Sequence, residues 1–210
     1  MFEGKPIIGL SGGIGSGKTL VAKLFADEGC MVISSDELVT QAYKDHKVKQ
    51  TLRHWWGSLV FDPDGEVDRP AVARKIFDKP DERRRLEQLL HPIVAQRREK
   101  LMHGAANDPR IKAFVWDTPL LFENGLNRYC DKVVFVDAPH DLRTSRVRTS
   151  RAWEPDELTK RENLQMPLDK KREISDYVVS NAADAEFARN QVRQTLVRIL
   201  ADTLQTPSSD

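Results

Sequence analysis

Cysteine is scarce in this chain, long apolar runs are missing, and neither sign of charge prevails. Two cysteines occur among 210 residues. Cys30 and Cys130 stand far apart and match no metal or redox spacing, so a reducing cytoplasm is the expected setting. No apolar run approaches the length that spans a bilayer, and no membrane partner is expected. Met1 to Leu10 holds no signal-peptide core, because its apolar stretch is broken by Lys5 and runs into glycines. With 33 Lys and Arg against 32 Asp and Glu, net charge is +1, and nothing points to nucleic acid. Basic runs do occur at Arg83-Arg84-Arg85, Arg97-Arg98 and Lys170-Lys171-Arg172. Acids such as Glu82, Glu87, Glu99 and Asp169 accompany them, as on solvated helix faces. Internal repeats and low-complexity linkers are also absent. What remains is an ordinary globule, 40% hydrophobic and long enough for one domain with an inserted lobe.

What is present is concentrated near the start. Gly12-Gly13-Ile14-Gly15-Ser16-Gly17-Lys18-Thr19 fits the pattern G-x-x-x-x-G-K-[ST]. An apolar run, Ile7-Ile8-Gly9-Leu10, precedes it, and a helical run from Leu20 to Ala26 follows, which is the strand–loop–helix setting of a P-loop. Glycines let the backbone curl until successive N–H groups meet one anion, and the helix aims its positive end at the same point. Gly13, Ile14, Gly15, Ser16 and Gly17 supply that cradle. Lys18 is a point charge that reaches β- and γ-phosphates, and the Thr19 hydroxyl suits Mg²⁺. ATP and Mg²⁺ are the expected ligands.

Further along, Cys30 to Asp36 reads as a short buried strand ending in polar residues, of which Asp36 is the last. In open α/β sheets ligands sit at the carboxyl ends of strands, where a carboxylate meets the acceptor of a phosphoryl group. The same Asp36 reads equally well as the N-cap of a helix from Glu37 to Tyr43. From Val48 to His103 the pattern is helical. Pro92 is expected to interrupt its last helix and to disfavour helical geometry at His91, which is open to either an exposed or a buried structural role. Gly104 to Arg110 reads as a loop. Ile111 to Asp117 is a strand ending in an acid, in the manner of a Walker B element that holds Mg²⁺. Lys132 to Asp137 is a further strand. His140 to Arg151 is arginine-dense, with Arg143, Arg146, Arg148 and Arg151. Guanidinium forks suit phosphoryl oxygens, so this segment reads as a lid. Tyr177 to Asn181 is a last strand, Asp184 to Leu204 a closing helix, and Thr206 to Asp210 a polar tail. Strands alternating with helices predict a parallel α/β sheet.

Taken together these motifs resemble the dephospho-CoA kinase family, over nearly the whole chain and in the family's order. Ile8 to Lys18 looks like its opening, Val32 to Asp36 like its strand ending in D-A-D, and Leu89-Leu90-His91-Pro92-Ile93 like its L-L-H-P-[LI] signature. Asp117-Thr118-Pro119-Leu120-Leu121-Phe122-Glu123 matches its P-L-L-x-E turn. Gln165-Met166-Pro167-Leu168 with Lys171, and Asp176 to Asn181, match its C-terminal blocks. The chain departs from the family at Ser34 in place of the first acid, at Ala183 in place of a glycine, and by one residue in the arginine spacing.

The resemblance implies a P-loop NTPase fold with an inserted helical acceptor lobe and an Arg-rich lid, acting on dephospho-CoA at the ribose 3′-hydroxyl. It divides the chain into a nucleotide core (1–47, 111–137 and 176–206), an acceptor lobe (48–110) and a lid (138–175). Asp36 becomes the base and Lys18, Arg146 and Arg151 the phosphoryl clamp. Asn181 lies beside the adenine, while Arg69, His91 and Pro119 face the acceptor, and Thr19 and Asp117 serve the metal. A monomer or weak oligomer is expected. The competing readings are another nucleotide or small-metabolite kinase and a nucleotide-switch protein. Against the latter, no Asn is followed by Lys, so the N-K-x-D guanine reader is missing.

Overall fold

A computed structural model of the chain describes residues 1–205; the tail expected at Thr206 to Asp210 lies outside them. The order of elements is β1 (Ile7–Gly12), α1 (Lys18–Asp27), β2 (Cys30–Ser34), α2 (Ser35–Tyr43), α3 (His46–Trp56), α4 (Arg69–Ile76) and α5 (Pro80–Ala106). Then follow β3 (Ala113–Asp117), β4 (Lys132–Asp137), α6 (His140–Arg151), α7 (Pro155–Glu162), α8 (Leu168–Glu173), β5 (Tyr177–Ser180) and α9 (Ala185–Gln205). The chain forms two compact units, one of Met1–Ser34 with Gly104–Asp210, the other of Ser35–His103.

In the first unit the five strands are all parallel, in the order β2-β3-β1-β4-β5. Every residue of β1 is buried, as for a central parallel strand covered on both faces. The chain leaves β1 toward β2 and β3 on one side, then crosses to β4 and β5 on the other. The carboxyl end of β1 is therefore the switch point where open α/β sheets bind ligands. Alternation along the strands builds two cores. Ile8, Leu10, Val115 and Val134 join Phe25 of α1 and Val192, Leu196 and Ile199 of α9. Leu121, Phe122 and Val133 form a smaller cluster. Leu121 packs so close to Gly9 that an added Cβ there would lie 2.8 Å from its Cδ2. Burial pushes the Cys30 thiol up to about 12, and neither cysteine is in a disulfide. At the end of β4, Asp137 Oδ2 accepts from Arg172 of α8 at 2.6 Å.

The second unit is helical, with one isolated bridge between Phe61 and Val67 around a turn at Asp62 to Gly65. Asp45 caps α3 through Lys47 N, and Asp68 caps α4 through Ala71 N. Contrary to the interruption expected at Pro92, α5 runs unbroken through it. Leu86, Leu90, Val94, Arg98 and Met102 recur every fourth residue and are all buried. That continuous stripe outweighs the lost hydrogen bond, and the carbonyl left behind belongs to exposed Gln88, where water can reach it. The expected loop at Gly104 likewise begins as the last turn of α5.

Candidate active site

Gly17 caps α1 with φ +86° and no side-chain bond, a left-handed conformation that glycine adopts without penalty. A Cβ at this position would overlap the side-chain amide of Asn181. Asn181 follows β5 directly and is 2% exposed. Its Nδ2 donates to the Ser16 carbonyl at 2.8 Å. Arg146 of α6 donates to the carbonyls of Gly15 and Ser16 at 3.4 and 3.2 Å, and to the Asn181 carbonyl at 3.0 Å. In a trans peptide the C=O and N–H point in opposite directions. Holding the Ser16 oxygen from this side therefore turns the Gly17 N–H to the other. Lys18 Nζ lies along the loop, 3.2 and 3.4 Å from the carbonyls of Gly12 and Gly13. Thr19 is exposed in the first turn of α1. Oriented amides, a helix N-terminus and a lysine compose a phosphate cradle.

The four arginines of α6 separate into two sets. Arg143 and Val147 occupy its buried face, and half-buried Arg146 stands beside them against the loop. Arg148 and Arg151 are exposed. The Arg151 guanidinium lies 4.7 Å from the ring centroid of Trp153, which Arg161 of α7 also contacts at 4.3 Å.

Asp117 ends β3, half-buried and in register with Leu10 of β1 and Ser34 of β2. Among the described residues no three His, Cys, Asp or Glu gather as a closed metal site. Mg²⁺ characteristically takes one or two protein oxygens and completes its shell with substrate phosphates and water. A Thr19 hydroxyl and a strand-end Asp117 carboxylate fit that habit.

Two sequence blocks acquire a shared purpose. Glu123, in the turn after β3, pairs with Lys171 of α8 at 2.7 Å, and its Oε1 also accepts from Met166 N at 3.0 Å. Lys171 donates further to Gln165 Oε1 at 3.0 Å and is 1% exposed. Burial works against the Glu123 charge, but the Lys171 ammonium and backbone donors prevail and hold its carboxyl below the usual range. Neither residue stands out by charge or period; only their adjacent motif blocks mark them. Pro119, in the same turn, is exposed.

In the helical unit Asp36 is exposed in the first turn of α2, as the second residue of the helix rather than its cap. Thr40 Oγ1 donates to the Asp36 carbonyl at 2.8 Å and accepts from Arg69 at 2.8 Å. Residues 36, 40 and 43 share one face of α2. Burial pushes the Tyr43 hydroxyl up, against the opposing charge of Arg69. His91, on α5, is exposed.

A sequence model described as dephospho-CoA kinase matches residues 6–186. A dephospho-CoA kinase from Agrobacterium fabrum is 36% identical over 92% of this chain and 97% of its own length. One from Aquifex aeolicus is 30% identical over 93% and 98%. A crystal structure of a Thermus thermophilus protein superposes with a TM-score of 0.80 at 29% identity, covering 92% of this chain and 97% of the other. The P-loop cradle and a match that takes in both the helical unit and the C-terminal blocks carry one conclusion: this chain belongs to the dephospho-CoA kinase family.

Proposed function

We propose that this chain transfers the γ-phosphoryl group of ATP to the ribose 3′-hydroxyl of dephospho-CoA, giving coenzyme A and ADP. The observation that carries the nucleotide half is the loop whose Gly15 and Ser16 carbonyls are held by Arg146 and Asn181. The acceptor rests on family membership and on the printed names of the relatives.

In this reading Lys18 and the loop amides hold the phosphates in place, and much of the rate acceleration comes from that preorganisation. Asp36 accepts the proton of the 3′-hydroxyl as its oxygen bonds to phosphorus and the bond to the leaving ADP oxygen breaks. Its position two residues beyond the end of β2, in an exposed first helical turn, supports that role. Arg146 stays on the loop, while Arg151 exchanges the Trp153 ring for phosphoryl oxygens. Asn181 serves the nucleotide by shaping the loop from the adenine side. Arg69 and His91 receive the acceptor's polar groups and Pro119 lines its path. Thr19 and Asp117 would hold Mg²⁺, which would supply neutralisation of the charge developing on the phosphates. A cytoplasmic monomer or weak oligomer completes the reading, in keeping with two cysteines outside any disulfide and with described helices too short or too polar to cross a membrane.

Purified protein with ATP and Mg²⁺ should release ADP and add one phosphoryl mass to dephospho-CoA, while adenosine, AMP and shikimate stay unmodified. Turnover on one of those acceptors instead would assign the chain to a different metabolite kinase.

A further inference from the structure

Arg143 stands apart from every other arginine in α6. It is 5% exposed and occupies a core position of that helix together with Val147. One terminal nitrogen donates to the Ile14 carbonyl at 3.3 Å and to the Glu162 carboxylate near the end of α7. The Nε, on the same guanidinium, is buried without a hydrogen-bond partner. Burying a guanidinium on such terms costs free energy that the rest of the fold must offset, which makes its position a feature to be explained.

The loop is shaped around it. A Cβ on Gly13 would stand 3.0 Å from an Arg143 terminal nitrogen and 3.1 Å from Leu168 Cδ1. Gly15 has φ +77°, and a Cβ there would come within 2.7 Å of the Arg143 carbonyl and 3.0 Å of Val147. Gly15 is thus demanded by the approach of the α6 backbone as well as by a phosphate, whereas Gly13 leaves room for the ends of two flexible side chains.

From this geometry we infer that Arg143, gripped by Glu162, is a positioning residue that aims the Gly15 N–H into the nucleotide site. The Ile14–Gly15 peptide is trans, as are all peptides among the described residues. Drawing the Ile14 oxygen toward Arg143 points the Gly15 N–H the opposite way. Arg146 and Asn181 impose the same orientation on the Ser16–Gly17 peptide, while the Ser16 N–H between them donates to the Gly13 carbonyl at 3.1 Å, so the outward amides of Gly15 and Gly17 are set by three side chains behind the loop. Glu162 supplies the second anchor that stops the guanidinium from turning away. The inference rests on the nucleotide reading above and adds to it a residue that touches no ligand.

The test measures ATP binding by calorimetry without acceptor, together with steady-state kinetics, on Arg143→Met, Arg143→Lys and Glu162→Leu. Arg143→Met should weaken ATP binding and raise its KM about ten- to a hundredfold, the scale of a lost charged hydrogen bond. Its kcat and its KM for dephospho-CoA should stay within about threefold of wild type. Arg143→Lys, with a charge but no fork, should recover part of the loss, and Glu162→Leu should add nothing on top of Arg143→Met because both act through one contact. Leu196→Ala, in the α9 core, supplies a destabilised control whose ATP affinity should not move. Folded Arg143→Met that binds ATP within about twofold of wild type overturns the inference. So does a fall in kcat at unchanged ATP affinity, which would put Arg143 on the reacting groups. Wild-type protein that bound no ATP would instead remove the nucleotide reading itself.

Discussion

Around the P-loop, polar side chains are turned inward: Arg143 and Asn181 are buried and Arg146 half-buried, and each donates to a loop carbonyl, Arg143 to the Glu162 carboxylate as well. For the candidate acceptor residues of the helical unit the opposite holds: Asp36, Arg69 and His91 are all exposed, and of these side chains only Arg69 is tied, through a threonine, to a neighbouring helix. On the proposed function, the difference follows from what each region would recognise. Phosphate oxygens are best met by peptide N–H groups, and peptides can be aimed only by fixing their carbonyls. A sugar hydroxyl and its attached groups are met by side chains that reach out from helices, and these need no supporting shell behind them. Damage to the first region should therefore spread through the backbone, whereas damage to the second should stay with the residue changed.

The sharpest contrast is between Asp36 and Lys18. Asp36→Asn should lower kcat by roughly 10²–10⁴-fold while ATP affinity stays at the wild-type value, as expected when only proton removal is lost. Calorimetry alongside kinetics would show it, and near-normal turnover would take the base assignment away from Asp36. Lys18→Ala should cost about 10²–10³-fold in kcat and weaken ATP binding as well, because one ammonium serves ground and transition states alike.

The next effect is on stability. Removing the buried member of the Glu123–Lys171 pair, as in Lys171→Met, leaves Glu123 in reach of water and should destabilise by about 1–3 kcal/mol, visible in urea unfolding. The pair also has a pH signature. Glu123 is held below its ordinary value of 4.5, so its contribution is complete above that pH and is lost as pH falls through the depressed value. Glu123→Gln should flatten the acid limb of the stability curve below about pH 4.5; an unchanged limb would exclude the pair as its source. Smallest of all, Arg69→Met and His91→Ala should each raise the KM for dephospho-CoA by about tenfold at unchanged ATP affinity. Equal losses toward both substrates would erase the contrast drawn above.

Much of this was legible before any coordinates. A P-loop between an apolar strand and a helix can be read from spacing, and β3, β4 and β5 announce themselves as short apolar runs. Other features were hidden for physical reasons. Pro92 reads as a break because local sterics oppose helix there, yet the stripe from Leu86 to Met102 rewards continuity over a longer range than a local rule sees. Asp36 offered two readings, and only the helix start at Ser35 decided that it is no cap. Arg143 looked like its exposed neighbours because its burial depends on Glu162, nineteen residues later. The one sequence sign of it is the i, i+4 spacing with Val147.

The ion pair between Asp137 and Arg172 ties two residues thirty-five positions apart. The segment from α6 into α8 thus starts and ends at neighbouring points, although the pair is exposed on both sides and contributes little energy of its own. The parallel ladder of β4 and β5 holds their register, so the link between α6 and α7 can change length at a small cost in closure entropy, about 0.6 kcal/mol per doubling of a flexible loop. The Arg143–Glu162 and Glu123–Lys171 contacts confine such changes to that link. An arginine register displaced by one residue from the family pattern is the sort of change that this construction absorbs.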